Sequence, residues 1–159
     1  MNRRLTLALL LAAPVAALAQ TDPGTEPTGP QPVLPKEPLT IVTKDGKPHK
    51  FDVEVARTQE QQITGLMFRK HVPADGGMLF LWSQANVSRM WMKNTLVPLD
   101  MVFIRADGTI DSIAEDTVPH SLRIIASHGK VIATLELAGG TTRRLGITVG
   151  DKVEGAMFR

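Results

Sequence analysis

From residue 39 onward, apolar and polar positions alternate in short blocks separated by glycine-rich turns, which is the period-two signature of strands with one buried face. Ile41 and Thr43 alternate with Thr40 and Val42, Asp45-Gly46 supplies a turn, and Phe51, Val53 and Val55 alternate with Asp52 and Glu54, so a β-hairpin opens the domain. Thr58-Gln59-Glu60-Gln61 matches a capping box: the Thr58 hydroxyl would accept the third helical N–H while Gln61 reaches back. A short helix should follow, broken near Gly65. Residues 78–82 are apolar on both faces and suit a central strand, and residues 83–86 turn the chain. Residues 87–93 read as a strand with Arg89, Trp91 and Lys93 on one side and Met90 and Met92 on the other, expected to pair with residues 99–105. Asp107-Gly108 then turns the chain into residues 109–115, two apolar runs at 122–126 and 131–137 flank His128-Gly129, and the whole reads as a β-meander. A helical turn is expected at 141–145, closed by Gly146, before a last strand through Val153. The fold class these elements imply is mostly β (α+β): a small antiparallel β-barrel or sandwich-like domain with two short helices.

The start of the chain is different in kind. Arg3 and Arg4, the apolar residues 5–11 and the small Ala17-Leu18-Ala19 form a secretory signal over residues 1–19, with cleavage near Ala19 and a periplasmic or extracellular destination. Residues 20–38 carry six prolines among Thr, Gly and Glu and read as a Pro-rich disordered linker, leaving 39–159 as a single β-rich domain. No apolar stretch is long enough to span a membrane after cleavage. The formal charge of +2 comes from 18 basic and 16 acidic residues; without Arg3 and Arg4 the two signs balance at 16 each. A neutral surface offers nucleic acid no electrostatic attraction, so the expected partner is a small polar ligand or an envelope protein, met by a monomer. With no cysteine, thiol catalysis and thiolate metal ligation are excluded and the fold rests on burial alone.

Chemistry concentrates around Asp100, a carboxylate among Leu96, Val97, Pro98, Leu99, Met101, Val102, Phe103 and Ile104. A carboxylate in such company needs a partner. If residues 87–93 and 99–105 are hairpin strands, Lys93 lies across the loop and pairs with it, either as a structural pin or as part of a site. Trp91, Lys93, Asn94, Thr95 and Asp100, with Arg69, then form a candidate binding surface: an apolar platform with several donors and one acceptor. Glu136, between Leu135 and Leu137, alternates with Thr134 and is expected in water.

The ordered motifs Glu60-Gln61, Gly65-Leu66-Met67-Phe68-Arg69, Gly77-Met78-Leu79-Phe80, Met90-Trp91-Met92-Lys93-Asn94-Thr95 and Pro98-Leu99-Asp100-Met101 resemble the family called domain of unknown function 192. Leu135-Glu136-Leu137-Ala138-Gly139-Gly140 and Gly150-Asp151 extend the likeness to the end of the chain. The resemblance implies a compact β-rich domain with small helices, often exported, with no assigned activity. Where that pattern usually has an acid after the 99–104 strand, this chain has Arg105, so no role for the acid carries over.

The leading functional expectation is therefore a non-catalytic, exported binding or accessory domain without a cofactor or metal. Two alternatives use other chemistry: a hydrolase-type enzyme with Asp100 as general base and Lys93 or Arg69 stabilising negative charge, or a copper-binding protein using Met67, Met78, Met90, Met92 and Met101. Scattered, core-facing positions favour packing for the methionines, and the wide spacing of His49, His71, His120 and His128 favours surface histidines over a zinc site.

Overall fold

In the computed structural model, residues 26–158 are described; the expected signal sequence and the first part of the linker lie outside them. Nine strands and two helices follow one another as β1 (Lys36–Val42), β2 (Pro48–Ala56), α1 (Gln59–Thr64), β3 (Met78–Asn86), β4 (Arg89–Met90), β5 (Leu99–Ile104), β6 (Ile110–Ala114), β7 (Ile125–Ala126), β8 (Val131–Ala138), α2 (Thr141–Leu145) and β9 (Lys152–Glu154). The domain is mostly β with two short helices. Seven strands form one sheet in the order β6-β5-β8-β3-β2-β1-β9, and β4 and β7 form a separate two-stranded ribbon.

Several sequence expectations need correcting. The sheet is mixed rather than antiparallel, because β2 and β3 run parallel, joined by a crossover through α1. The meander is broken: β8 inserts between β5 and β3, on the far side of β5 from β6. Only Arg89 and Met90 of the expected strand 87–93 pair at all, and they pair with β7, not β5. The hairpin reading failed because both edges of β5 are already taken by β6 and β8. Residues 83–86 extend β3 through an irregularity instead of turning it, and β1 starts at Lys36, so the last expected linker residues belong to the sheet.

All seven strands send apolar side chains to one face. Leu39, Ile41, Phe51, Val53, Leu79, Val102, Ile104, Ile110, Leu135, Leu137 and Val153 share this core, onto which Leu145 and Ile147 at the end of α2 also pack. The sheet does not close into a barrel, yet its edges touch at one end. Val153 N donates to Gly108 O at 2.8 Å and Ile110 N to Asp151 O at 2.9 Å, and Thr109 bridges Lys152. Gly108 permits this approach: its φ is +79°, and a Cβ there would lie 2.4 Å from the Val153 carbonyl oxygen. Gly108→Ala should lower the unfolding free energy in urea by about 1–3 kcal/mol; a loss below ~0.5 kcal/mol would mean that the edge contact contributes nothing.

The opposite face of β3, β5 and β8 carries a second core of Met78, Phe80, Leu99, Met101, Phe103 and Val131. Connecting segments cover it, with Leu66, Val72 and Met92 among the covering residues. Leu34 joins them from the N-terminal segment, where Gln31 Nε2 also donates to the carbonyls of Gln61 (3.1 Å) and Gly65 (2.9 Å) at the end of α1. The capping box is present as expected: Gln61 N donates to Thr58 Oγ1 and Thr58 N to Gln61 Oε1.

Candidate functional site

The second face opens into a cleft of about 320 Å³ between α1 and the segment around Trp91. That size is at the lower end for small-ligand sites, roughly 300–1,000 Å³. Ile63, Leu66, Phe80, Trp82, Met90 and Trp91 supply its apolar lining, and Arg89, Lys93, Thr95 and Glu136 its polar groups. Its two walls are stitched together where Phe68 N donates to Asn94 O at 2.8 Å. Asn94 adopts φ +54°, a left-handed conformation that asparagine tolerates better than most side chains. Its Nδ2 lies 3.9 Å from Met67 Sδ. Thr95 is buried and tightens the turn, with N donating to Met92 O and Oγ1 to Lys93 O.

Trp91 is 44% exposed, an uncommon position for a tryptophan without a partner surface. The Lys93 ammonium sits 5.4 Å from the centre of its ring, within cation–π range. The same ammonium meets the carboxylate of Glu26 from the N-terminal segment. On the inner side, Phe80 and Trp82 stack with ring centres 6.2 Å apart.

Glu136 is the residue that sequence reasoning placed wrongly. It is only 4% exposed, lines the cleft, and accepts no hydrogen bond among the described residues. Burial pushes its carboxyl up from the ordinary 4.5 to about 8, so the acid keeps its proton at neutral pH. Alternation along β8 is real, with Ala133, Leu135 and Leu137 facing the first core. The error lay in assigning the other face to water, when a second core covers it. The available signal was β8 itself, which is apolar nearly throughout except at Thr134 and Glu136.

The other expected site residues do not converge. Asp100 is wholly buried and does not meet Lys93; its Oδ1 accepts from Asp116 N and Gly140 N, both at 2.9 Å, and its Oδ2 from Thr142 N at 2.8 Å and Thr142 Oγ1 at 2.7 Å. It ties the start of α2 to the loop after β6. A carboxylate saturated in this way and closed to solvent cannot act as a general base on a ligand. Arg69 belongs to a separate pocket of about 180 Å³, where Nη2 pairs with the buried Glu54 at 3.0 Å. Glu54 also accepts from Leu34 N at 2.8 Å, so this pair fastens the N-terminal segment to the domain.

Arg105, the residue that departs from the family pattern, donates from Nε and Nη2 to the buried Asp111 at 2.9 and 2.7 Å. Burial pushes the Asp111 carboxyl up, but the Gly129 N–H, Arg105 and Ser112 together outweigh it and hold the group below its ordinary value. Met78, Met92 and Met101 are buried in the second core, and Met67 is buried as well. The sulfurs of Met67, Met78 and Met92 lie near Asn94 Nδ2, Gln31 Nε2 and Thr117 Oγ1 respectively, on separate protein donors. No group of three or more His, Asp or Glu side chains is placed to hold a metal among the described residues. His49, expected at the surface, is buried in β2, whereas His71, His120 and His128 are exposed.

Two of the solved structures to which the chain is similar are informative. One, from Sinorhizobium meliloti 1021, carries the provisional label of transcription regulator and is 45% identical, with a TM-score of 0.77, covering 79% of this chain and 98% of that one. The other is a protein of unknown function from Novosphingobium aromaticivorans DSM 12444, 39% identical with a TM-score of 0.74, covering 79% of this chain and 91% of its own. No curated protein matches. The family model DUF192, described as Uncharacterized ACR, matches residues 40–155, which include every residue lining the cleft and the buried residues of both cores except Leu34 and Leu39. The ordered motifs, the fold and this match agree: the chain belongs to the DUF192 family.

Proposed function

We propose that the protein is an exported binding domain whose cleft takes a small ligand with a carboxylate on an apolar body. The observation that supports this most directly is Lys93, held over Trp91 at the cleft rim and already engaged by a carboxylate, that of Glu26. The internal Lys93–Glu26 pair supports a carboxylate as the group received at the rim. Trp91, Met90 and Ile63 beside it offer a ligand's apolar part a surface to cover.

Nucleic acid is a poorer fit. The label on the Sinorhizobium meliloti protein concerns that protein; here the two helices have six and five residues, too short to read a major groove. Without residues 1–19 the charge also balances, at 16 residues of each sign. Export itself is tested by expressing residues 1–159 with their own leader and sequencing the N-terminus, which should begin near Gln20.

Binding has a built-in reporter, because both tryptophans of the chain, Trp82 and Trp91, line the cleft. Titrating the protein with 3-phenylpropionate while following tryptophan emission should show saturable binding. Lys93→Met should weaken it about tenfold, the equivalent of ~1.4 kcal/mol. Glu26→Gln should strengthen it by removing the internal competitor. Affinity unchanged in both variants would rule out Lys93 as the anchor.

A further inference from the structure

Lys93 explains the rim of the cleft but leaves its floor without a purpose. Glu136 is a carboxylic acid more than nine-tenths buried, lining an open cleft, with no hydrogen-bond partner among the described residues. Among the described residues the buried side-chain atoms left without a partner are His49 Nε2, Arg69 Nε and Trp82 Nε1, so the Glu136 oxygens are not sealed in the core but face the cleft, where a ligand can meet them. A structural role is the first alternative to consider. In the same protein, Asp100 and Asp111 show what a structural buried carboxylate looks like, each accepting from at least two backbone N–H groups. Glu136 has none of these.

The surroundings narrow down what could complete it. Glu136 lies opposite Met78 on β3 and Met101 on β5, with Phe80 and Trp82 lining the same cleft. β3 and β5 bring no charge to this face: their contributions are Met78, Phe80, Trp82, Leu99, Met101 and Phe103. α1 brings Gln59 and Gln62, which do not titrate. The segment before β5 brings Arg89, exposed, and Lys93, already engaged by Glu26. Aromatic faces and thioethers around an acid are the setting in which organic cations are bound, the rings by their negative faces and the acid by its charge.

We infer that Glu136 receives an ammonium group, so that the cleft's ligand is an amino acid or short peptide with an apolar or aromatic side chain, its amine at Glu136 and its carboxylate at Lys93. This rests on the carboxylate reading of the rim and adds the second anchor. Because Glu136 holds a proton when the cleft is empty, capture of an ammonium ion transfers that proton to solvent and leaves a carboxylate–ammonium pair.

Three probes of one size separate the two anchors: L-phenylalanine with both groups, 3-phenylpropionate with the acid alone and phenethylamine with the amine alone. Tryptophan emission gives affinities, and calorimetry in buffers of different ionisation enthalpy counts protons. L-Phenylalanine should bind at least about tenfold more tightly than 3-phenylpropionate at pH 7, releasing close to one proton at pH 6 and none at pH 9, where Glu136 is already ionised and the free amine must itself take up protons to bind as ammonium. In Glu136→Gln its affinity should fall to that of 3-phenylpropionate and proton release should vanish, with circular dichroism confirming the fold. Equal affinities of L-phenylalanine and 3-phenylpropionate, or an unaffected Glu136→Gln variant, would overturn the amine site while leaving the Lys93 reading intact. Phenethylamine binding with proton release and no response to Lys93→Met would do the reverse. If none of the three binds, both readings fall.

Discussion

Glu136→Gln is expected to stabilise the domain by an amount that depends on pH, from almost nothing at pH 4 to roughly 4–5 kcal/mol above pH 8. Below about 4.5 the acid is protonated in both the folded and the unfolded chain, and glutamine is its near-isostere. Between 4.5 and about 8 the unfolded chain has released the proton while the folded one keeps it. Each pH unit in that window therefore costs the wild type ~1.4 kcal/mol. Above about 8 both forms are ionised and the difference levels off. Urea unfolding of both proteins at pH 4, 6, 8 and 9 measures it, since other titrating groups cancel in the comparison. A difference that stays flat across the series would mean that Glu136 is solvated in the folded protein. A natural sequence that keeps a residue this costly keeps it for something other than stability.

Asp100→Ala should destabilise the protein by about 3–5 kcal/mol, for a different reason. The substitution strands the N–H groups of Asp116, Gly140 and Thr142 and the Thr142 hydroxyl where little or no water can replace the carboxylate. Asp100→Asn keeps the shape but turns an NH₂ toward those donors, so a loss of roughly 2–3 kcal/mol is expected. Lys93→Ala should cost less than about 1 kcal/mol, because its partner Glu26 is exposed. The double variant Lys93→Ala, Asp100→Ala should then equal the sum of the single losses within ~0.5 kcal/mol. A larger coupling would show that the two residues communicate in solution despite their separate partners.

Local signals in the sequence held where their physics is local. The 58–61 capping box, the turn at Asp45-Gly46, the helix at 141–145 with Gly146 behind it, and strands β5, β6, β8 and β9 all follow from spacing within a few residues. What was hidden depends on which strands become neighbours. A run of six buried residues in β5 shows that it is central but not that β6 and β8 flank it. Assuming instead that residues 87–93 pair with it brought Lys93 to Asp100 on paper.

The site was legible in the same proportion. Trp91, Lys93 and Thr95 do line one cleft, and Asn94 shapes its wall. Arg69 and Asp100 were drawn in because charge inside an apolar stretch looks functional until its partners are seen, and here those partners are Glu54 and a set of backbone amides. Glu136 was passed over because alternation was read as one wet face and one dry face. In a sheet covered on both sides, period two separates two cores, and a lone acid on either face is buried.

The meeting of β9 with β1 and with residues 108–110 also bears on how the domain is assembled. Val153 pairs with Ile41, nearly the full length of the domain away in sequence, so this contact closes one of the longest loops in the domain and cannot form until nearly the whole domain has been synthesised. Until then the outer side of β1 and the backbone around Gly108 expose unpaired N–H and C=O groups that another chain could extend. The three residues of β9 cover both at once. A folding intermediate lacking only this strand would have nearly all of its core and two adhesive edges, so β9 protects the protein against self-association in proportion far beyond its size.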